Sequence, residues 1–266
     1  MKKIVLMLCC VSVLFGMSGR EVMQKQKDLQ STKSEQSREI MILINSDNSK
    51  EKREVKRKMR KDVEKDLTDS LIVFVKPSDV GGTALLNLQA SKEIENQYLY
   101  TPALKKLQRI AQGSKKNYFM GTDFTYEDLS ADKLENYNYK ILKEEDVKVA
   151  KSDKKELCYV IEATPTEAYT PKTSYSKKIL WVTKEHFYTK KVEFYGKDKS
   201  LIKFENSWEF VNPTGTVYRP LKVAIINKKE NHKTVVMVKD LKINEKINKK
   251  AFTKRYLLNE EHMADE

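Results

Sequence analysis

The feature that most constrains this chain is a succession of short strand-like runs in its C-terminal half, each closed by turn residues. Within residues 177–183, Ile179 and Trp181 fall on one face and Leu180 and Val182 on the other. That period of two is the signature of a pleated strand. Residues 188–195 alternate in the same way, Gly196-Lys197-Asp198-Lys199 turns the chain, and a strand over 201–211 follows. Asn212-Pro213-Thr214-Gly215 turns it again before strands over 217–227 and 234–238, which are separated by an exposed turn over 228–232. Strands at this spacing, with few helical stretches, bury their apolar faces by building an antiparallel sandwich or barrel.

The earlier part of the chain is less regular. Residues 21–30 read as a short helix, 38–44 as a strand, and Asn45-Ser46-Asp47-Asn48-Ser49 as a turn. Residues 50–65 carry nine basic side chains against four acidic ones, with Val55, Met59 and Val63 as sparse apolar positions. By charge pattern alone this stretch could be helical. Leu71-Ile72-Val73-Phe74-Val75 is an apolar strand ended by Pro77, which cannot donate to a sheet ladder. Gly81-Gly82 allows a tight bend, and residues 98–100 and 105–110 form a hairpin around Pro102. One or two helical turns are expected within residues 127–137.

At the front, Met1-Lys2-Lys3 and an apolar run from Ile4 to Phe15 precede Gly16-Met17-Ser18. The run is too short to span a bilayer as a helix, and the small residues at 16 and 18 suit cleavage after Ser18. Residues 1–18 are therefore expected to be a secretory signal peptide, with 19–266 as a single domain. Cys9 and Cys10 lie inside the apolar run rather than at a lipid-attachment position. Cys158 is then the only thiol of the mature chain, so no internal disulfide can form, and a small buried hydrophobe is its expected role.

The formal charge is +13. Nucleic-acid binding would need aromatics interleaved with the basic run, and residues 50–65 have none. The run reads either as a solvated strand pair or as a docking surface for anionic lipid or an acidic partner, with Lys56, Arg57, Lys58 and Arg60 as its candidates. His186, His232 and His262 are scattered and match no metal-ligand spacing. Neither a phosphate-binding glycine loop nor a Gly-x-Ser-x-Gly elbow occurs. No cofactor or metal is expected, and the chain does not read as an enzyme. Asp123, Glu127 and Asp128 suit the start of a helix better than acid–base chemistry, with Asp123 or Thr125 as its cap.

The segment Asn117-Tyr118-Phe119-Met120-Gly121-Thr122-Asp123-Phe124-Thr125-Tyr126-Glu127-Asp128-Leu129 gathers four aromatics and a Met around one glycine. Upstream lie Tyr98-Leu99-Tyr100-Thr101-Pro102-Ala103-Leu104-Lys105-Lys106-Leu107-Gln108-Arg109-Ile110 and Lys76-Pro77-Ser78-Asp79-Val80-Gly81-Gly82-Thr83. In this order the three blocks resemble the outer-membrane lipoprotein-sorting protein family, the LolA-like group of the LolA/LolB superfamily. The blocks cover roughly residues 70–130, and a looser likeness runs to the C-terminus through Leu241-Lys242-Ile243-Asn244 and Phe252-Thr253-Lys254-Arg255-Tyr256-Leu257.

The resemblance implies a mostly β fold: an antiparallel sheet curled into an incomplete, half-open barrel, with a few short helices closing an apolar concave face. It favours a strand hairpin over residues 45–65. It also implies a monomeric periplasmic carrier that takes acyl chains of a lipoprotein or lipid from an inner-membrane exporter toward an outer-membrane acceptor. On this reading the acyl cavity draws on Leu86, Tyr98, Tyr100, Phe119, Met120, Phe124, Tyr126 and Trp181. Ordinary core packing competes for many of these aromatics. The alternative function is a non-catalytic accessory protein docked on an inner-membrane transporter of the resistance-nodulation-division or ABC type.

Overall fold

A computed structural model describes residues 16–131, 133–149 and 154–264. Most of the expected signal peptide, residues 1–15, lies outside the described residues. Helix α1 (Gly19–Leu29) opens the fold. Six strands follow: β1 (Ser34–Ile44), β2 (Lys50–Asp62), β3 (Leu67–Lys76), β4 (Ala84–Gln89), β5 (Glu95–Thr101) and β6 (Lys106–Arg109). After a long connection come β7 (Tyr137–Lys148), β8 (Lys155–Pro165), β9 (Tyr175–Thr183), β10 (Thr189–Gly196), β11 (Leu201–Val211), β12 (Arg219–Asn227) and β13 (His232–Ile243). Helices α2 (Lys254–Leu258) and α3 (Glu261–Ala264) end the chain.

All thirteen strands form one antiparallel sheet in the order β6-β5-β4-β3-β2-β1-β13-β12-β11-β10-β9-β8-β7. The ends of the sheet do not pair, so it is an open, curled sheet rather than a closed barrel. Residues 50–65 extend β1 into a hairpin instead of forming a helix, with eleven register pairs from Ser34–Arg60 to Ile44–Lys50. Cross-strand ion pairs take up part of their charge, Arg57 with Glu39 and Arg60 with Asp69, while Lys52, Lys56 and Lys58 turn outward.

The topology explains the central aromatic segment. The chain meanders from β1 to β6 at one edge, then must reach β7 at the opposite edge before meandering back to β13 beside β1. Residues 110–136 make that crossing over the concave face. Phe119 and Tyr126 pack on the N-terminal half of the sheet, while Asp123, Glu127 and Asp128 bond to the C-terminal half, where Leu134 also packs. Of the one or two helical turns expected over 127–137, the described residues hold one, the 3-10 turn Leu134–Asn136.

Alternation assigns the two faces. Met41, Leu43, Val55, Ile72, Phe74 and Leu85 form the concave core of the N-terminal half, closed by Phe119 and Tyr126. On the convex side, Leu71, Val73, Ala84, Leu86 and Tyr100 are covered by Ala251, Phe252, Tyr256 and Leu257 from the C-terminal segment. The C-terminal helices thus sit on the outside of the curl, while α1 lies across the inside.

Candidate functional site

The crossing segment is a wedge pinned at its tip. Tyr118 and Thr125 bridge, the Phe119 amide donates to the Phe124 carbonyl at 2.7 Å, and Met120 and Gly121 turn with φ of 50° and 73°. Glycine relieves the second of these left-handed positions. Arg53 donates to the Met120 carbonyl and lies over the Phe74 ring at 5.4 Å. Phe119 fills the space between Phe74 and Tyr126, at centroid distances of 5.4 and 5.5 Å.

Thr125 and Asp128 cap each other reciprocally, the Asp128 amide donating to Thr125 Oγ1 at 3.1 Å, but the turn they open does not continue into a helix. The acidic side chains fasten the crossing segment to the C-terminal half of the sheet. Asp123 accepts from the Thr234 hydroxyl at 2.8 Å and meets His232 Nδ1 at 2.7 Å. Glu127 accepts from the Ser174 amide and hydroxyl at 2.8 and 2.7 Å, and from Thr173. Asp128 accepts from the Thr125 amide at 2.7 Å, the Tyr175 hydroxyl at 2.7 Å and Lys203 Nζ at 2.5 Å. Burial opposes the Asp128 charge, but Lys203 and these donors outweigh it and hold the carboxyl below the usual range. Burial pushes the Tyr175 phenol well above its ordinary value, and the Asp128 charge adds to this.

Beyond this fastening, the concave face of the C-terminal half stays open. A cavity of about 480 Å³ lies between α1 and strands β7 to β11. Leu180, Val192 and Phe194 form its floor, and Met23, Phe124 and Leu134 reach it from the opposite side. Helix α1 is held across it at both ends. Gly19 packs so closely on Tyr139 that a Cβ would come within 2.9 Å of backbone atoms, and Lys27 pairs with Asp66 at 2.7 Å in the β2–β3 turn.

The lining is not wholly apolar. Lys178 lies over the Tyr137 and Phe194 rings, at 5.2 and 5.6 Å. Glu205 faces the same space and is pushed up to about 7, chiefly by burial and then by the nearby Asp128 charge. Among the described residues no cluster of His, Cys, Asp and Glu is arranged to hold a metal.

Of the cavity candidates named from sequence, Phe124 lines this space. Phe119 and Tyr126 are packed into the N-terminal core, and Met120 rests against it. Leu86 and Tyr100 lie on the convex face beneath the C-terminal segment, with Tyr98 at the margin of that cluster. Trp181 is also convex, packed with Cys158, Val160 and Ile179 beneath Lys191, whose Nζ is 4.1 Å from its ring. Cys158 is buried, and burial pushes its thiol up to about 11. Of the docking candidates, Lys56 and Lys58 turn outward. Arg57 turns inward to Glu39 at 2.9 Å, and Arg60 binds Asp69 at 2.9 Å while lying over Phe252. Lys178, Leu180, Val192, Phe194 and Glu205 were not singled out from sequence. The alternation places Leu180 and Val192 on a common face, without indicating that this face stays open.

A family model described as "uncharacterized protein" matches residues 66–259. No curated protein matches the chain. Among solved structures, a domain described under outer membrane lipoprotein sorting from Vibrio parahaemolyticus is 30% identical, with a TM-score of 0.81, over 90% of this chain and 98% of that one. A DUF1329 family protein from Desulfovibrio piger is 24% identical with a TM-score of 0.82, over 90% and 97% of the two chains. A LolA superfamily protein from Nitrosomonas europaea is 19% identical with a TM-score of 0.68, over 91% and 100%. The last two likenesses concern the fold alone.

Proposed function

Because the chain belongs to the outer membrane lipoprotein-sorting protein family, we propose that it is a non-catalytic periplasmic carrier. It takes the acyl chains of a lipoprotein or lipid into the concave cavity, and moves its cargo from an inner-membrane exporter toward the outer membrane. The observation that carries this reading is the cavity over Leu180, Val192 and Phe194, whose volume of about 480 Å³ suits a ligand of moderate size. Each buried methylene is worth about 0.8 kcal/mol, so ten give about 8 kcal/mol as an upper bound. The charged lining lowers that figure, which suits a carrier that must also release its cargo.

Export by a signal peptide over residues 1–18 belongs to the same proposal, with 19–266 as the working domain. Ser18 caps α1 and forms a reciprocal capping box with Glu21. Cleavage after Ser18 removes that cap, leaving α1 to rest on the packing of Gly19, Val22 and Met23. Among the described residues no helix is long and apolar enough to cross a membrane.

The test is mass spectrometry of organic extracts from the purified exported protein, followed by uptake of a fluorescent fatty acid. A stoichiometric acylated molecule, together with weaker probe uptake by Leu180→Gln than by wild type, is the expected result. A clean extract with no uptake by the wild-type protein would overturn the carrier reading in favour of a transporter accessory protein.

A further inference from the structure

The convex face of the central strands is largely apolar, partly exposed and bears several lysines. Cross-strand register builds it in three rows. Phe204, Ile226, Lys233 and Ile44 follow one another across β11, β12, β13 and β1, and Asn206, Ala224, Val235 and Ile42 form the next row. Trp208, Lys222, Met237 and Ile40 complete the third. On β1, Ile40, Ile42 and Ile44 stay partly exposed, whereas the alternate residues Met41 and Leu43 are buried in the concave core. The C-terminal segment that seals the convex side of β3 to β5 does not reach these rows, and none of their members joins a packed cluster. A contiguous apolar patch of this kind on a folded surface marks an interaction site.

Charge identifies what it meets. In register, Lys52 stands beside Ile42, Lys50 beside Ile44, and both Lys56 and Lys239 beside Arg38 at the end of the patch. Lys228 lies 5.9 Å from the Phe204 ring. Four acids share the face. Glu54 is bridged to Lys52 and Lys76, Glu193 to Lys191 and Glu209 to Lys222, while Asp240 lies beside Lys239. An apolar centre with a basic margin is complementary to a bilayer surface carrying anionic headgroups, in which side chains enter the interface and lysines remain with the phosphates.

We propose that the convex face of β11, β12, β13, β1 and β2 docks the protein reversibly on an anionic lipid bilayer, with Trp208 and Ile42 entering the interface and Lys52 and Lys233 engaging headgroups. This proposal stands on different residues from the cavity and does not depend on what the cavity holds.

The exported protein is tested by flotation with vesicles of phosphatidylcholine alone, and with vesicles of equal parts phosphatidylcholine and phosphatidylglycerol. Binding is expected to the anionic vesicles only, weakening as salt rises. The Lys52→Glu/Lys233→Glu variant should bind at least about tenfold more weakly. Brominated lipid should quench tryptophan emission in wild type and in Trp181→Phe, but not in Trp208→Phe. The cavity variant Leu180→Gln should float as wild type does, whatever its probe uptake. The proposal fails if anionic vesicles do not bind, if the charge reversal leaves binding unchanged while the fold is intact, or if quenching survives in Trp208→Phe. Recovery of an exporter protein with vesicles unbound would likewise overturn it in favour of a protein partner.

Discussion

The two halves of the sheet share one alternation and one concave face, yet they are filled differently. Over β1 to β4 the crossing segment lays down Phe119 and Tyr126, and the core closes on Phe74 at van der Waals range. Over β9 to β11 the same segment presents carboxylates instead, which are consumed in bonds to Ser174, Tyr175 and Lys203. Behind those bonds Val192 and Phe194 pack beside Tyr175, Leu180 adjoins them, and Met23, Phe124 and Leu134 line the same cavity. Closure and open volume are thus divided along the strand order: the concave face of one half is filled, and that of the other keeps a cavity of about 480 Å³.

The contrast can be broken most directly at Phe119. Phe119→Ala should lose about 3–5 kcal/mol of stability by urea unfolding, because a filled site cannot collapse around the void. Phe124→Ala should lose clearly less, since part of that ring already faces open space. Equal losses would mean that the halves are equally packed.

The fastening bonds come next. Lys203→Ala leaves the Asp128 carboxylate buried without its cation and should cost about 3 kcal/mol. Adding Asp128→Asn should return part of the loss. No recovery in the double variant would show that Lys203 acts through its packing on Tyr175 and Phe194 rather than through its charge.

The smallest effect sharpens the comparison by pH. The folded Glu205 carboxyl sits at about 7 against an ordinary 4.5, so the folded state holds a proton in that interval which the unfolded state has lost. Wild-type stability should therefore fall as pH rises from 4.5 to about 7. The loss is on the order of 3 kcal/mol at most. Glu205→Gln should remove that slope, melting above wild type at alkaline pH and near it at acidic pH. Parallel melting curves across the range would place Glu205 in free contact with solvent.

Some of this was legible in the residues. The alternation at 177–183 and 188–195 and the turn at 196–199 place β9 and β10 within a residue or two, and 201–211 coincides with β11. Strand β7 escaped detection because it is an edge strand. Leu142-Lys143-Glu144-Glu145-Asp146 has no apolar period to read, since little of it is buried. Asp123 and Asp128 had the look of a helix start. Their partners, His232, Thr234, Tyr175 and Lys203, lie dozens of residues away in sequence, and local pattern carries no trace of them.

The amino-acid sequence by itself determined that this chain would be an antiparallel β protein, because period-two burial and turn chemistry are local properties written into each strand. It also carried the family likeness, through the blocks around residues 76–83, 98–110 and 117–129. Which face of each strand became concave, which aromatics were spent on a core, and where the open volume remained were decided only by the tertiary structure. Alternation distinguishes two faces without saying which is inner. The answer depends on where the crossing segment comes to rest between the two edges of the sheet, and that is settled by contacts between residues far apart in the chain.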